Sequence, residues 1–247
     1  MQLTHAACSD IGKRRTHNED SFLLLPDERL FAVCDGMGGH AAGEVASKLA
    51  CEAIAAFYAS TRGEDGAGRA DERRLADAIR LANAQILEAG EGVNRGMGTT
   101  CVTTVFADGE VIVGHVGDSR AYRFRDGALT RLTADHSLVE EYLRTGRLTP
   151  ETAKTFPQRN VILRALGTGP QVDVDVARHP VRAGDVLLLC SDGLSGMLTD
   201  QDLTVILTQY AGELETCAKA LVDAANANGG LDNVTCVLAR VGEGPTP

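Results

Sequence analysis

Four apolar runs in this 247-residue chain each have an aspartate at or beside one end. Runs of this kind are typical of buried β-strands, and carboxylates gathered at strand ends repel one another unless a cation lies between them. Mg²⁺ and Mn²⁺ prefer oxygen ligands, so the pattern predicts a divalent-metal site and a candidate phosphoryl enzyme. The runs and their aspartates are Leu30–Cys34 with Asp35, Val111–Val116 with Asp118, Val186–Cys190 with Asp192, and Val234–Leu238 with Asp232.

The composition is that of an acidic chain with enough apolar residues for a full core. Lysine and arginine number 24 and aspartate and glutamate 34, which gives a formal net charge of −10. This charge disfavours nucleic-acid binding, and no stretch has the length of a membrane span or the form of a secretory leader. The length is that of one large domain or at most two small ones, and we expect one domain over residues 1–241, followed by a flexible tail at 242–247.

The cysteines indicate a reducing compartment. Seven are present, an odd number, and none forms a Cys-x-x-Cys pair. Five lie in apolar or helix-like segments, which is typical of buried free thiols in the cytosol. We therefore expect a cytoplasmic protein. We also expect it to lack a membrane anchor and to act as a monomer.

Strands and helices are predicted in blocks rather than in strict alternation. Strands are expected before Gly36, from Thr99 to Arg125, and in the last two apolar runs. This arrangement favours an α+β fold with a two-sheet core and outer helices over a doubly wound parallel sheet. The helices are expected at Glu44–Tyr58, at Asp71–Ala89, as two short helices within Ser137–Thr155, from an N-cap at Thr199 to Tyr210, and from Gly212 to about Ala227.

Two motif matches are rejected because their context is wrong. The segment Gly36–Ala41 fits the dinucleotide-binding pattern G-x-G-x-x-A, but Asp35 would repel a pyrophosphate and the next strand comes too late for a compact βαβ unit. The segment Cys8–Arg14 fits the Cys-x₅-Arg loop of thiolate phosphatases, but Asp10 would oppose both the thiolate and the phosphate.

Polar residues near the strand ends supply further candidate ligands. The segment Arg15–Asp20 places a guanidinium suited to phosphate beside the carboxylates of Glu19 and Asp20, which could hold metal-bound waters. Gly36 follows Asp35 and permits a backbone carbonyl to approach a metal closely. Each feature alone has a plainer explanation as a turn or a solvated loop, but together, each beside a strand, they favour a metal site.

These segments resemble the PPM/PP2C family of metal-dependent serine/threonine protein phosphatases, in its bacterial form. The resemblance implies two antiparallel sheets in a central sandwich flanked by helices, in agreement with the block pattern, and a flap over the active site at about residues 137–159. Eight motifs occur in the family's order: Arg15–Asp20, Asp35–His40, Gly98–Thr100, Gly117–Arg120, Asp135–Ser137, Arg164–Gly167, Ser191–Gly193 and Asp232–Thr235.

The resemblance also implies a role for each candidate residue. Asp35 would bridge two metal ions, and the Gly36 carbonyl would bind one of them. Arg15 would bind the substrate phosphate, and His40 would act as the general acid that protonates the leaving alkoxide. The other implied metal ligands are Asp192 and Asp232 in the core site, Glu19 and Asp20 through waters, and Asp118 at a third, weaker ion shared with Asp192.

The implied activity is hydrolysis of phosphoserine and phosphothreonine in proteins. Two Mn²⁺ or Mg²⁺ ions would generate a bridging hydroxide that attacks phosphorus in line, without a phosphoenzyme. Phosphorylated proteins and a cognate serine/threonine kinase are the expected partners. A pseudophosphatase that only binds is disfavoured by the complete set of aspartates, whereas hydrolysis of a small phosphoester stays open from the site pattern alone.

Overall fold

The computed structural model describes residues 1–38, 42–61, 69–90, 96–107, 109–153 and 155–243. The strands are β1 (Leu3–Asp10), β2 (Asp20–Leu25), β3 (Leu30–Met37), β4 (Gly98–Thr99), β5 (Cys101–Ala107), β6 (Glu110–Val116), β7 (Arg120–Arg125), β8 (Ala128–Arg131), β9 (Asp175–Pro180), β10 (Val186–Cys190) and β11 (Val234–Val241). The helices are α1 (Ala42–Ser60), α2 (Arg69–Ala89), α3 (Leu138–Arg144), α4 (Pro150–Ala153), α5 (Asp192–Ser195), α6 (Asp200–Tyr210) and α7 (Leu214–Ala227), with a 3-10 helix at Pro26–Glu28.

The strands form two antiparallel sheets. The first has the order β1-β11-β10-β7-β8, and the second has the order β2-β3-β5-β6-β9, with β4 paired to β3. Strands β1 and β11 pair along their whole length, from Leu3 opposite Val241 to Asp10 opposite Val234. This pairing brings the residues that follow β1 close to those that precede β11.

Three apolar layers hold the sheets and helices together. Strand β10 shows why: Leu187 and Leu189 point into the layer between the two sheets, whereas Leu188 and Cys190 point toward α6 and α7. Alternation of side chains along a strand explains how one continuous apolar run serves both layers. Helices α1 and α2 cover the outer face of the second sheet through the third layer. The result is the predicted α+β sandwich of two antiparallel sheets between helices.

The predicted helix start at Thr199 is confirmed, and its cause is a capping box. The Thr199 hydroxyl accepts a hydrogen bond from the backbone N–H of Asp202, whose side chain accepts one from the Thr199 N–H. The two short helices α3 and α4 are also confirmed, and the second begins at Pro150. None of the helices that the structure describes combines the length and apolar character needed to cross a bilayer.

The sequence did not predict β8, β9 or the short helix α5. Strand β9 carries an arginine and a histidine and is exposed at every second or third position, so its apolar alternation is weak. It forms by pairing with β6, a strand about 65 residues earlier in the chain. Tertiary pairing rather than local pattern determines this strand.

Candidate metal and phosphate site

Five aspartates converge at one edge of the sandwich. Asp20 begins β2 and lies directly opposite Asp35, which is near the end of β3. Asp118 lies in the turn between β6 and β7, Asp192 is the first residue of α5, and Asp232 precedes β11. Four of these carboxylates lie at or beside the ends of the predicted apolar runs, Asp20 begins β2, and the fold brings these ends together.

Burial and mutual repulsion raise the pKa values of Asp20, Asp35, Asp118 and Asp192. Burial raises the pKa of Asp20 to about 7, and the charges of Asp192 and Asp232 contribute. Burial, and then the charge of Asp192, raise the pKa of Asp118 to about 7. The pKa of Asp35 is raised well above its ordinary value, first by burial and then by the four other aspartates. Divalent cations among these oxygens would reverse the effect.

Two unsatisfied oxygen atoms show that the site fits a metal. Asp20 Oδ1 and Asp118 Oδ1 are buried and have no hydrogen-bond partner in the described part of the chain. A buried carboxylate oxygen without a partner is costly unless it binds a cation. Because the converging side-chain donors are carboxylate oxygens, the set suits Mg²⁺ or Mn²⁺ better than metals that prefer sulfur or imidazole.

Gly36 permits a close approach of three chain segments beside Asp35. A Cβ atom at this position would lie 2.1 Å from the Gly43 carbonyl oxygen and 2.5 Å from the Glu19 carbonyl oxygen. The Gly36 N–H donates to the same Glu19 carbonyl at 3.0 Å. A larger residue would therefore push the start of β2 and the start of α1 away from Asp35.

Arg15 stands at the mouth of the site. Its Nη2 donates a 2.7 Å hydrogen bond to Asp232 Oδ2, and its side chain is 49% exposed. This bond is the first cause of a raised Arg15 pKa. Burial raises the pKa of Glu19, which is four residues away, whereas the charge of Arg15 lowers it. A guanidinium held here and half open to solvent can bind an incoming phosphate.

Asn233 organises the site, and the sequence interpretation gave it no role. Its Oδ1 accepts from the Glu19 N–H at 2.9 Å, and its Nδ2 donates to the carbonyl oxygens of Ile11 and His17, both at 2.9 Å. The residue is 4% exposed. These bonds fasten the segment that carries Arg15 to the start of β11. The sequence signals were its place directly after a candidate ligand and within the motif Asp232–Thr235.

Hydroxyl groups also position the aspartates. Ser191 Oγ donates to Asp20 Oδ2 at 2.8 Å and accepts from the Thr235 N–H at 3.0 Å. Thr100 Oγ1 accepts from the Asp35 N–H at 3.0 Å and is 2.7 Å from Ser119 Oγ. Buried serine and threonine are common in cores, so the sequence alone gave no signal for these contacts.

A groove of about 370 Å³ leads away from the carboxylates. It is lined by Asp118, Asp192 and Asp232, and also by residues of α3 together with Arg159 and Asn160. Residues of α5 and Leu231 also line it. Of the segment expected as a flap, Ser137, Val139, Glu140, Leu143 and Arg159 line this groove. His40, the candidate general acid, lies outside the described residues.

Comparison with known proteins gives consistent matches. The family model for protein phosphatase 2C matches residues 12–227. The serine/threonine phosphatase stp of Listeria monocytogenes is 39% identical over 237 residues, covering 94% of this chain and 93% of the relative. The serine/threonine protein phosphatase PstP of Mycobacterium tuberculosis is 42% identical over 243 residues, which cover 98% of this chain. The chain spans 45% of that relative's length.

Solved structures agree in fold. The crystal structure of M. tuberculosis PstP/Ppp has a TM-score of 0.89 and 41% sequence identity, covering 98% of this chain and all of that one. The catalytic domain of PstP in complex with two manganese ions has a TM-score of 0.86 and 40% identity, with 98% of this chain and 99% of that one covered.

Proposed function

Because this chain belongs to the protein phosphatase 2C family, we propose that it removes phosphate from phosphoserine and phosphothreonine in proteins in a metal-dependent reaction. The observation that carries the proposal is the convergence of five aspartates, two with unsatisfied buried oxygen atoms, beside a half-exposed arginine. A relative of nearly the same length, matched over 93% of its own chain, is named a serine/threonine phosphatase.

We assign the metal ligands within this group. Asp35, with the Gly36 carbonyl, Asp192 and Asp232 would hold two Mn²⁺ or Mg²⁺ ions, Glu19 and Asp20 would act through waters, and Asp118 would bind a third ion with Asp192. The two manganese ions of the PstP catalytic domain support this stoichiometry for the core site. When bound, such ions supply a water of lowered pKa and offset the charge of the phosphate.

The chain's own residues would bind and orient the substrate. Arg15 would exchange its bond to Asp232 for the phosphate oxygens, since its side chain is half exposed and its guanidinium can bind two oxygens at once. Asn233 would hold the segment that carries Arg15 in place. His40 would donate a proton to the leaving alkoxide, a role that rests on the family resemblance.

The groove suggests how a protein substrate would lie. It is lined by α3, by α5 and by Leu231 next to Asp118, Asp192 and Asp232, and we expect an extended segment of substrate to lie there. We also propose one catalytic domain over residues 1–241 with its flap at 137–159. The protein would act as a monomer in the cytoplasm and would reverse phosphorylation by a serine/threonine kinase. Seven free cysteines support a reducing compartment.

The test is hydrolysis of a phosphothreonine peptide by purified protein, with Mn²⁺, with Mg²⁺ and with EDTA. Activity that appears with metal and is lost with EDTA is the expected result. A panel of small phosphoesters assayed in parallel separates a protein phosphatase from a metabolite phosphatase by kcat/KM. A folded sample without activity under any metal condition would contradict the proposal.

A further inference from the structure

Two stacked histidines lie behind the turn that carries Asp118. The rings of His115 and His136 are 4.6 Å apart and nearly parallel, and both residues are buried. Neither ring has a part in the site described above. Their position matters because His136 contacts Gly117, the residue directly before Asp118.

His136 brackets Gly117 with two hydrogen bonds. The Gly117 N–H donates to His136 Nδ1 at 3.0 Å, and the His136 N–H donates to the Gly117 carbonyl at 2.9 Å. The ring and the backbone of one residue thus satisfy both polar groups of another. Such a pair fixes the peptide groups on both sides of Gly117, and the second of them leads into Asp118.

The bond to Nδ1 determines the protonation of the ring. Because Nδ1 accepts a hydrogen bond, the neutral ring carries its proton on Nε2. That atom lies 3.3 Å from Asp175 Oδ2, and Asp175 Oδ1 is bound by Arg164 at 2.7 Å. Burial and the neighbouring His115 lower the pKa of His136, which favours the neutral form.

The same tautomers argue against a metal at this cluster. Ligand atoms of His115, His136 and Asp175 lie within 4.8 Å of one another, close enough to hold an ion. However, His136 Nε2 carries the proton, and His115 Nε2 must also carry one because it lies 2.8 Å from the Ala134 carbonyl oxygen. With its Nδ1 occupied by Gly117 and its Nε2 protonated, His136 has no free lone pair for a metal.

Gly117 needs support because its conformation is unusual. Its φ is +105°, and a Cβ atom there would lie 2.6 Å from Thr100 Cγ2. Only glycine adopts this backbone easily, and glycine is also the residue with the most freedom to leave it. Hydrogen bonds from outside the turn therefore help to keep Gly117, and Asp118 with it, in one place.

We propose that His136 is a positioning residue for Asp118, because its Nδ1 holds the Gly117 amide and thereby fixes the carboxylate in the site. The proposal rests on the proposed function, in which Asp118 binds a divalent ion. Asp175, itself bound by Arg164, lies beside the Nε2 side of the ring, although Nε2 makes no hydrogen bond with the described residues. The arrangement extends from Arg164 and Asp175 through the His136 ring to Gly117, and it contains no metal.

Three variants separate this role from simple packing. In His136→Asn the amide oxygen can replace Nδ1 as the acceptor of the Gly117 N–H. In His136→Leu the bulk of the side chain is kept and the acceptor is removed. His115→Leu is the matched control, since it disrupts the same stack but leaves the Gly117 bond. Mn²⁺ binding is measured by calorimetry, and activity on a phosphothreonine peptide is measured against Mn²⁺ concentration.

We expect His136→Leu to weaken the lowest-affinity Mn²⁺ site by about 10-fold, the scale typical of residues that orient metal ligands. The rate at saturating Mn²⁺ should change much less. The His136→Asn and His115→Leu variants should stay within about twofold of wild type in Mn²⁺ affinity, a change much smaller than 10-fold. Equal losses in the two His136 variants, or an equal loss in His115→Leu, would overturn the proposal in favour of packing.

A measurement on the wild-type protein needs no variant to fold. Nitrogen-15 NMR of histidine-labelled, metal-free protein should give the Nε2–H tautomer for His136, with Nδ1 unprotonated. The Nδ1–H tautomer near neutral pH would overturn the proposal. A different outcome is also informative: His136 has the expected tautomer, the variants change Mn²⁺ binding as expected, and the protein hydrolyses no phosphopeptide. That outcome would overturn the proposed function and leave the positioning role standing.

Discussion

At the scale of single residues, the site collects negative charge in a place where burial opposes it. The pKa values of Asp20 and Asp118 are raised to about 7, and that of Asp35 lies well above its ordinary value. Such an arrangement costs folding free energy unless cations neutralise it, and perturbed carboxyl groups of this kind are typical of functional sites. Each aspartate is therefore better explained by binding than by stability.

Asp192 gives the most direct test of the metal assignment. Asp192→Asn keeps the shape and removes one charge, so we expect metal-dependent hydrolysis to fall by at least about 100-fold. The fold should persist, and the metal-free variant should be at least as stable as wild type because repulsion from Asp232 is relieved. Phosphopeptide assays and thermal unfolding check both points. Asp223→Asn, on the exposed side of α7, is the control, and ordinary metal-dependent rates in Asp192→Asn would refute the assignment.

Asn233 offers a test of the positioning contacts. Asn233→Ala leaves the Glu19 N–H and the carbonyl oxygens of Ile11 and His17 without their partner, so we expect a loss of about 1–3 kcal/mol in the free energy of unfolding. The KM for phosphopeptide should also rise, because the segment bearing Arg15 loses its anchor. Urea unfolding and steady-state kinetics measure these effects. Asn228→Ala, which removes one exposed bond, is the control, and equal behaviour of the two variants would show that Asn233 has no special role.

At the scale of elements, local patterns predicted what local chemistry determines. Strand β10 and helix α6 were predicted close to their observed bounds, because a continuous apolar run and a capping threonine are visible in the sequence. Strand β9 was not predicted, since it depends on pairing with β6.

The candidate site divides in the same way. Four of the five aspartates could be predicted from their places at the ends of apolar runs, and Asp20 from the polar segment Arg15–Asp20. Asn233 could not, because its bond to Glu19 joins residues 214 positions apart. Ser191 and Asp20, whose side chains meet at 2.8 Å, are 171 positions apart. Contacts of this kind are a property of the assembled sandwich rather than of any one segment.

The N-terminus of α6 supports a prediction at this scale. Thr199→Ala removes a capping box on a helix that packs on the first sheet and contributes none of the candidate ligands, so we expect a loss of about 1 kcal/mol. For a chain of this size, that corresponds to a decrease of about 2–4 °C in Tm. The metal-dependent rate per folded molecule should not change. A drop in kcat without a drop in Tm would contradict this separation of stability from activity.

At the scale of the whole molecule, folding and metal binding are coupled through the carboxylates. In the metal-free protein the pKa values of Asp20 and Asp118 are about 7, against an ordinary value of 3.8. Between these values the folded state binds protons that the unfolded state has released, so these groups reduce stability as pH rises from about 4 to about 7. Bound divalent cations compensate for this loss, because they bind the deprotonated carboxylates.

The increase in Tm caused by Mn²⁺ should therefore grow as the pH is raised. His115 and His136 have lowered pKa values and contribute the opposite pH dependence, but they contribute it with and without metal, so it cancels in the difference. We expect the Tm difference between Mn²⁺-loaded and EDTA-treated protein to be several degrees larger at about pH 7.5 than at about pH 5. Differential scanning calorimetry measures it, and Asp118→Asn should show a smaller increase across that range. The same Mn²⁺-induced shift at both pH values would mean that proton release from this cluster is not linked to metal binding.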